Sequence, residues 1–344
     1  MRRIHSLLRG SFACLALALA SLPGSAGAEA LEVVATVPDL GSLVGSVGGD
    51  RVSVTVLTKG PQDPHFVEPR PSFVRKLHDA DLFLQMGMEL EVGWAPVLLQ
   101  SARNPQVMPG GRGYLDTSVA IPPLEVPVAP ADRSMGDLHP YGNPHYLSDP
   151  LNGLRVARLL REKLSELRPD GASQFAAGYD AFAERLAGLL VGDDLAREYG
   201  AGELLRRLEE GAPLAFLDEQ GAGGRLGGWL GALRSHGRRK AVQEHRLWPY
   251  FALRFDLELV AALEPLPGIA PTTRHLAEVV ETMRAQGARL ILSAPYFDAR
   301  HARFVADETG ARILPLAHQV GARPGTGDYL SMVDYNVRLL MEAP

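Results

Sequence analysis

Short apolar runs alternate with amphipathic segments along the first third of the chain. A run such as VSVTVL alternates like a strand, whereas apolar positions three and four residues apart indicate a helix. Strands are predicted at 31–37, 52–57 and 82–87, and helices at 39–49, 72–80 and 91–102. This β-α alternation predicts a parallel sheet with helices on both of its faces.

A long helical region interrupts the alternation between residues 152 and 199. It contains no strand-like run, and Leu154, Ala157 and Leu160 lie at the spacing of one helical face. Pro169 and Gly171 divide this region into two parts.

The alternation then resumes and continues to the end of the chain. Strands are predicted at 240–245, 257–263, 289–295 and 312–317, and helices at 248–255, 272–286, 298–309 and from 329 onward. The fold class is therefore α/β, with two halves joined by helix. Ligands of open parallel sheets bind beyond the carboxyl ends of the strands, so two such lobes facing each other would form a cleft.

The length of 344 residues, with 46% apolar residues, is sufficient for a large core and two domains. We place the domain boundaries from the pattern of predicted elements. They are a signal peptide at 1–28, an N-terminal lobe at 29–168, a linking helix at 169–199 and a C-terminal lobe at 200–344.

The first 28 residues have the pattern of a cleaved secretory signal peptide. Three arginines precede the apolar run 12–22, and Ala26 and Ala28 supply the small residues of a cleavage site. The run is shorter than the roughly 20 residues that a membrane-spanning helix needs. We therefore expect export to the periplasm and a soluble mature chain.

The single cysteine, Cys14, lies inside the apolar run, which is the wrong place for a lipid-modified cysteine at a cleavage site. The predicted mature chain then has no cysteine, so it has no disulfide, and any metal site in it must use His, Asp and Glu. Cleavage also removes three arginines and no acidic residue, which changes the net charge from −5 to −8. Because this charge lacks the clustered basic face of a polyanion binder, we expect no nucleic acid partner.

Three histidines lie where a predicted strand or loop passes into a helix. His65 is in PQDPHFVEPRPS, His145 is in HPYGNPHYLSDP and His245 is in QEHRLWPYF. Imidazoles at such edges can converge on a metal while the sheets behind them stay rigid. A polar loop that faces water is the alternative for His65. Asp328, at the start of the last helix, is either a further ligand or a helix N-cap.

Several segments together resemble the metal-binding solute receptors of ABC importers, the zinc and manganese group. The resemblance covers nearly the whole predicted mature chain and keeps the order of the motifs. The motifs are DPHFVEPRPS, LHDADLFLQMG, GNPHYLSDPLN, HRLWPYFALRFDLELV, LEPLPGIAPT and GDYLSMVDYNVRLL.

The resemblance implies two lobes, each a small sheet with helices, joined by one long rigid helix, with one divalent ion in the cleft. It implies that His65 and His145 of the first lobe, with His245 and Asp328 of the second, bind Zn²⁺ as the transported ligand. It also implies a monomeric binding protein, not an enzyme, that delivers zinc to an ABC transporter permease in the inner membrane. A metallochaperone is a further partner that the resemblance leaves open.

Two alternatives stay open at the level of sequence. A manganese or iron receptor of the same class is the first. In the manganese-selective members that the chain resembles, the position matching His245 is a glutamate, whereas imidazole favours zinc. A secreted zinc hydrolase is the second, and the chain has neither an H-E-x-x-H helix nor a G-x-S-x-G elbow to support it. Residues 192–239 look like an insertion without an assigned function. His139 is interpreted as a loop histidine or an accessory metal-capture group, and His318 is left outside the site.

Overall fold

The computed structural model describes residues 29–128, 139–266 and 268–343 of the chain. The predicted signal peptide at 1–28 lies outside these residues. Among the described helices, none is both long enough and apolar enough to cross a membrane.

The first lobe is built on a four-stranded sheet in which all pairs are parallel. The strands follow the order β2-β1-β3-β4 across the sheet. They are β1 (Leu31–Ala35), β2 (Val52–Val56), β3 (Leu82–Gln85) and β4 (Tyr114–Asp116), and the helices of this lobe are α1 (Pro38–Gly48), α2 (Pro71–His78) and α3 (Ala95–Ala102). Proline stands in the first turn of all three helices, where its missing N–H has no partner to lose.

Six helices follow before the second sheet begins. They are α4 (Pro150–Leu167), α5 (Ala172–Val191), α6 (Asp193–Tyr199), α7 (Ala201–Glu209), α8 (Pro213–Glu219) and α9 (Gly228–Arg234). A one-turn 3₁₀ helix at Pro169–Gly171 separates α4 from α5, so the chain breaks where the sequence predicts. The helix α5 packs against α1 of the first lobe and against α9, and the predicted linking helix at 169–199 corresponds to α5 and α6.

The second lobe repeats the topology of the first, with the strand order β6-β5-β7-β8 and only parallel pairs. The strands are β5 (Arg239–Gln243), β6 (Leu257–Ala262), β7 (Leu290–Ser293) and β8 (Arg312–Pro315). The helices are α10 (Pro249–Arg254), α11 (Thr273–Gln286), α12 (Ala299–Thr309) and α13 (Tyr329–Met341). The expectation of two α/β lobes is confirmed.

One large apolar core runs through both lobes, and each sheet has a smaller core on its outer face. Successive side chains of a strand point to opposite faces of the sheet, so alternate residues of one strand belong to different cores. In β1, Val33 and Ala35 belong to the large core, whereas Val34 packs with Phe83 in the smaller one. The shared core joins the lobes across α1, α4 and α5 and places their loops against each other.

The short strand β4 is the element that the sequence pattern missed in the first lobe. Its three residues, Tyr114–Asp116, are too few to show an alternation. The strand forms because it can pair with β3 at the edge of a sheet that already exists.

Candidate metal centre

The three predicted histidines lie in loops at the edge where the two lobes meet. His65 lies between β2 and α2, His145 lies just before α4, and His245 follows the end of β5 by two residues. His245 thus lies beyond the carboxyl end of a central parallel strand, which is the usual ligand position in sheets of this kind.

The structure brings these three histidines together. One ring nitrogen from each lies within 4.8 Å of the others. The ring centroids are 5.1 Å apart for His65 and His145, 5.5 Å for His65 and His245, and 5.6 Å for His145 and His245. His65 and His245 are buried, and His145 is half-buried. The cluster draws on both lobes and can hold one divalent cation.

A carboxylate binds the rear nitrogen of two of these imidazoles. Asp63 Oδ1 lies 2.8 Å from His65 Nδ1, and Glu264 Oε2 lies 2.7 Å from His245 Nδ1. When Nδ1 donates its hydrogen to a carboxylate, the Nε2 lone pair remains for a metal. The carboxylates therefore fix the orientation of the His65 and His245 rings.

The pKa of Asp63 reflects this contact. Burial acts to raise the pKa of Asp63, but hydrogen bonds from the side chain and the backbone amide of His65 hold it below its ordinary value. Asp63 is thus ionised at neutral pH and can act as the hydrogen-bond acceptor of the pair.

His145 is prepared for metal binding in another way. Its Nε2 is buried and has no hydrogen-bond partner within the described part of the chain. Burial, followed by the proximity of His65 and His245, lowers the pKa of His145 well below its ordinary value. The imidazole is therefore neutral, with a buried nitrogen that a metal ion could satisfy.

His139 lies against His65 of the cluster, although the sequence analysis did not include it among the predicted ligands. Its Nε2 lies 3.3 Å from His65 Nε2, and the two rings stack with centroids 5.3 Å apart. Burial, with the neighbouring His65 and His245, lowers the pKa of His139 to about 3. The available sequence signal was its position six residues before His145 in the same loop.

Asp328 is not brought to the three histidines. Its carboxylate caps α13, accepting hydrogen bonds from Ser331 N at 3.0 Å and Ser331 Oγ at 2.5 Å, and it lies 3.4 Å from Arg185 Nη1. The cluster of potential metal-binding groups contains His65, His145 and His245 without Asp328. The start of α13 and Arg185 engage the carboxylate in this structure, and the role of Asp328 as a ligand stays a prediction.

His318 lies in the segment between β8 and α13. Its Nε2 lies 3.2 Å from the Gln62 carbonyl oxygen, and its ring packs on Tyr296 with centroids 4.7 Å apart. Burial lowers the pKa of His318 to about 4, and its Nδ1 has no partner among the described residues. His318 and His145 line one small cavity of about 30 Å³. His318 thus connects the two lobes beside the cluster.

The other histidines of the described chain do not belong to the cluster. Their ring nitrogens lie within hydrogen-bond distance of backbone carbonyl oxygens in three cases: His78 with Ala102, His236 with Ala232, and His275 with Ala262. These three rings are thus engaged by the backbone near them.

A family model described as zinc-uptake complex component A, periplasmic, matches residues 33–190 and 230–343 of the chain. Curated relatives include the high-affinity zinc uptake system protein ZnuA of Paracoccus denitrificans, which is 23% identical over 95% of this chain and 96% of the relative. The zinc-binding lipoprotein AdcA of Streptococcus pneumoniae is 23% identical over 99% of this chain and 61% of the relative. The manganese-binding lipoprotein MntA of Halalkalibacterium halodurans is 29% identical over 46% of this chain.

The chain spans only 47% of the length of MntA and 61% of the length of AdcA. Among solved structures, a crystal structure of ZnuA superposes with a TM-score of 0.66 at 23% identity, covering 92% of this chain and 99% of that one. A manganese-bound periplasmic metal-binding protein from Candidatus Liberibacter asiaticus gives a TM-score of 0.61 at 19% identity, covering 90% of this chain and 98% of that one. These structures share the two-lobed fold. Because the family model matches well over half of the sequence, this chain belongs to the periplasmic zinc-uptake complex component A family.

Proposed function

We propose that this protein is a periplasmic receptor that captures zinc and delivers it to the permease of an ABC importer. The observation that carries the proposal is the convergence of three histidines from two lobes, with ring nitrogens within 4.8 Å of one another. Membership in the zinc-uptake family supports the same conclusion.

The proposed zinc ligands are His65, His145 and His245, with His139 as the fourth nitrogen donor. A tetrahedral zinc site with Zn–N distances of about 2.0–2.1 Å has neighbouring ligand atoms roughly 3.3–3.4 Å apart. The Nε2 atoms of His65 and His139 are 3.3 Å apart, which is the edge of such a tetrahedron. Asp328 is not included, because its carboxylate caps α13.

Zinc is favoured over manganese by the donor atoms. A group of imidazole nitrogens suits borderline zinc, whereas manganese prefers carboxylate, carbonyl and water oxygens. The nearest carboxylates, Asp63 and Glu264, bind the rear nitrogens of His65 and His245 instead of facing the cluster. A manganese receptor is the second candidate, because a manganese-binding lipoprotein is among the relatives of this chain.

Delivery follows from the division of the ligands between lobes. A zinc ion bound by His65 and His145 on one side and His245 on the other holds the lobes together. Movement of the second lobe away removes His245 and lowers the number of ligands, which weakens binding when the receptor meets its permease.

Export after cleavage of residues 1–28 places the receptor in the periplasm. A metallochaperone and a monomeric state stay predictions from sequence.

A binding role explains the site better than hydrolysis does. A catalytic zinc keeps one coordination position for water, and a hydrolase needs a general base beside it. Four imidazoles would fill a tetrahedral site. Asp63 and Glu264, the carboxylates nearest to these rings, are engaged with the rear nitrogens of His65 and His245.

A competition titration with zinc and manganese tests the proposal. We expect zinc to bind the chain without residues 1–28 in a 1:1 ratio and to displace manganese with an affinity higher by orders of magnitude. Comparable affinities for the two ions would contradict the zinc proposal and favour a manganese receptor. A metal-dependent hydrolytic activity that requires His65 would support the hydrolase instead.

A further inference from the structure

A second cavity, of about 510 Å³, lies between the helices α7 to α9 and the second lobe. Leu208 at the end of α7, Ala215 on α8, and Leu230 and Leu233 on α9 form much of its apolar wall. Phe255, between α10 and β6, also lines it. No histidine of the metal cluster lines this cavity.

One wall of the cavity comes from a segment that the family model does not match. The matched regions end at residue 190 and resume at residue 230, whereas the cavity is lined by residues from Leu208 to Leu226. This segment is most of the insertion that the sequence indicated at 192–239. The cavity is therefore built in part by a feature of this chain that zinc binding does not use.

Arg239 gives the cavity an unsatisfied positive group. Its Nη1 donates to the backbone carbonyls of Leu340 at 2.6 Å and Ala343 at 3.2 Å, but its buried Nε has no partner among the described residues. Burial holds the pKa of Arg239 below its ordinary value. A half-buried guanidinium that lines the cavity and has no ion-pair partner among the described residues favours an anion as the occupant.

The remaining charged groups of the lining leave the cavity positive. Arg254 already forms a two-point ion pair with Asp149, at 2.9 and 3.0 Å, and Asp256 lies 3.8 Å from Arg238. Arg234 donates only to the carbonyl of Gly223, at 3.3 Å, and none of the described ion pairs includes Arg234. Arg234 and Arg239 are thus the uncompensated charges.

We propose that this cavity binds a small monocarboxylate with an apolar body. The carboxylate binds the guanidinium of Arg239, and the apolar body lies against Leu230, Leu233 and Phe255. The volume of about 510 Å³ is in the range of small-molecule pockets, which combine a mostly apolar lining with a few placed polar groups. A neutral apolar ligand would leave the charge of Arg239 without a counterion, and a cation would be repelled.

Octanoate and octan-1-ol form a matched pair of probes, since they have the same chain length and differ in the charged end group. We expect calorimetric titration of the chain without residues 1–28 to show 1:1 binding of octanoate. Octan-1-ol should bind at least roughly tenfold more weakly, because it lacks the charge-assisted hydrogen bond to Arg239. Equal binding of the two probes, or no saturable binding of octanoate, would overturn the proposal.

Two variants locate the binding. Ala215→Trp fills the cavity from an exposed position on α8 and should abolish octanoate binding. Arg239→Gln should weaken octanoate roughly tenfold or more and reduce the preference over octan-1-ol. Arg238→Gln is the matched control, because Arg238 is exposed and does not line the cavity.

Unchanged zinc affinity in each variant shows that the lobes are folded. Octanoate affinity that Ala215→Trp leaves unchanged would place the site elsewhere and contradict the proposal. Arg239→Gln also loses hydrogen bonds to the carbonyls of Leu340 and Ala343. If this variant does not fold, Ala215→Trp and the comparison of the two probes test the proposal without it.

Discussion

At His65 and His245, the carboxylates of Asp63 and Glu264 lie 2.8 and 2.7 Å from the rear ring nitrogens. These contacts select the ring nitrogen that each histidine presents to a metal, and they hold the ring in place before the metal arrives. His145 has no carboxylate contact among the described residues, and it depends on burial to remain neutral. Two of the three rings are thus held by carboxylates, and the third is held in a buried environment without one.

Removal of a carboxylate should weaken zinc binding less than removal of a ligand. We expect Asp63→Asn to lower zinc affinity by roughly 10- to 100-fold, because outer contacts of metal ligands have effects of this size. His65→Ala should lower it further, since a donor atom is lost. Competition with a zinc chelator measures both variants.

His236→Ala is the control for these substitutions. His236 is exposed, and its Nδ1 lies 3.1 Å from the carbonyl oxygen of Ala232 in its own helical segment. The variant should keep the zinc affinity of the unmodified chain. Wild-type affinity in His65→Ala would show that the cluster is not the zinc site.

Glu91 predicts a pH dependence of stability. Burial raises the pKa of Glu91 to about 7 from 4.5, even though Thr36 Oγ1 and the amides of Met86 and Gly87 donate hydrogen bonds to it. Between these two pH values the folded chain keeps a proton that the unfolded chain has released. A rise in pH across this interval therefore lowers the free energy of unfolding.

Glu91→Gln removes this titration. We expect the stability of the unmodified chain, relative to the variant, to fall by about 3 kcal/mol as the pH rises from about 4 to about 8. Denaturant unfolding at several pH values gives the difference. A difference that stays constant with pH would show that Glu91 has the same pKa in the folded and unfolded chains.

Helix starts in this fold are supported by side chains whose roles depend on their neighbours. Asp149 accepts a hydrogen bond from Leu151 N at the start of α4 and also pairs with Arg254 of α10. Asp298 caps α12 by accepting from Arg300 N. Asp328 does the same for α13 with Ser331 N, so an aspartate before a helix is here a structural group.

Asp328→Ala should destabilise α13 without affecting zinc. We expect a loss of about 1 kcal/mol in the free energy of unfolding, the usual effect of losing an N-cap. Zinc affinity should remain that of the unmodified chain. Unfolding curves and chelator competition on the same preparation measure the two quantities.

Asp298→Ala is the matched control, since it removes an equivalent cap from a different helix of the second lobe. Both variants should lose similar stability and keep zinc. A selective drop in zinc affinity for Asp328→Ala would return Asp328 to the site.

Across the whole molecule, the segment that follows β8 joins the second lobe to the first. Gln319 Nε2 contacts the carbonyl oxygens of Lys59, Gly60 and Gln62, at 3.2, 3.1 and 2.7 Å. Tyr329 Oη donates to the Leu147 carbonyl at 2.7 Å. These contacts hold the lobes together beside the histidine cluster.

Gly60→Ala tests the importance of this contact for zinc. A Cβ at Gly60 would overlap with the backbone of Gly321, and backbone on both sides leaves little room to adjust. We expect a loss of about 1–3 kcal/mol in stability and weaker zinc binding, because separation of the loops displaces His65. Unfolding and chelator competition measure the effect.

Gly327→Ala is the control in the same segment, since no atom lies within 4 Å of its added Cβ. It should have little effect on zinc. Equal effects of the two variants would mean that the close approach at Gly60 is not what holds the loops in place.

Local patterns in the sequence were sufficient for the two lobes. The alternation of apolar residues in VSVTVL and the helical spacing from Leu154 to Leu160 report local periods, and secondary structure follows those periods. Pro169 and Gly171 marked the break between α4 and α5 for a similarly local reason. The three residues of β4 lacked such a signal, since that strand depends on pairing with β3.

Three of the residues that the sequence predicts as ligands, His65, His145 and His245, were selected through their motifs at the ends of elements. The convergence of these three, the contact of His139 with His65 and the capping of α13 by Asp328 are visible only in the tertiary structure. Loops 80 to 100 residues apart meet only because a shared core packs the two lobes together. A carboxylate before a helix has the same local sequence whether it caps or binds a metal, and only its distance from the other groups separates the two roles.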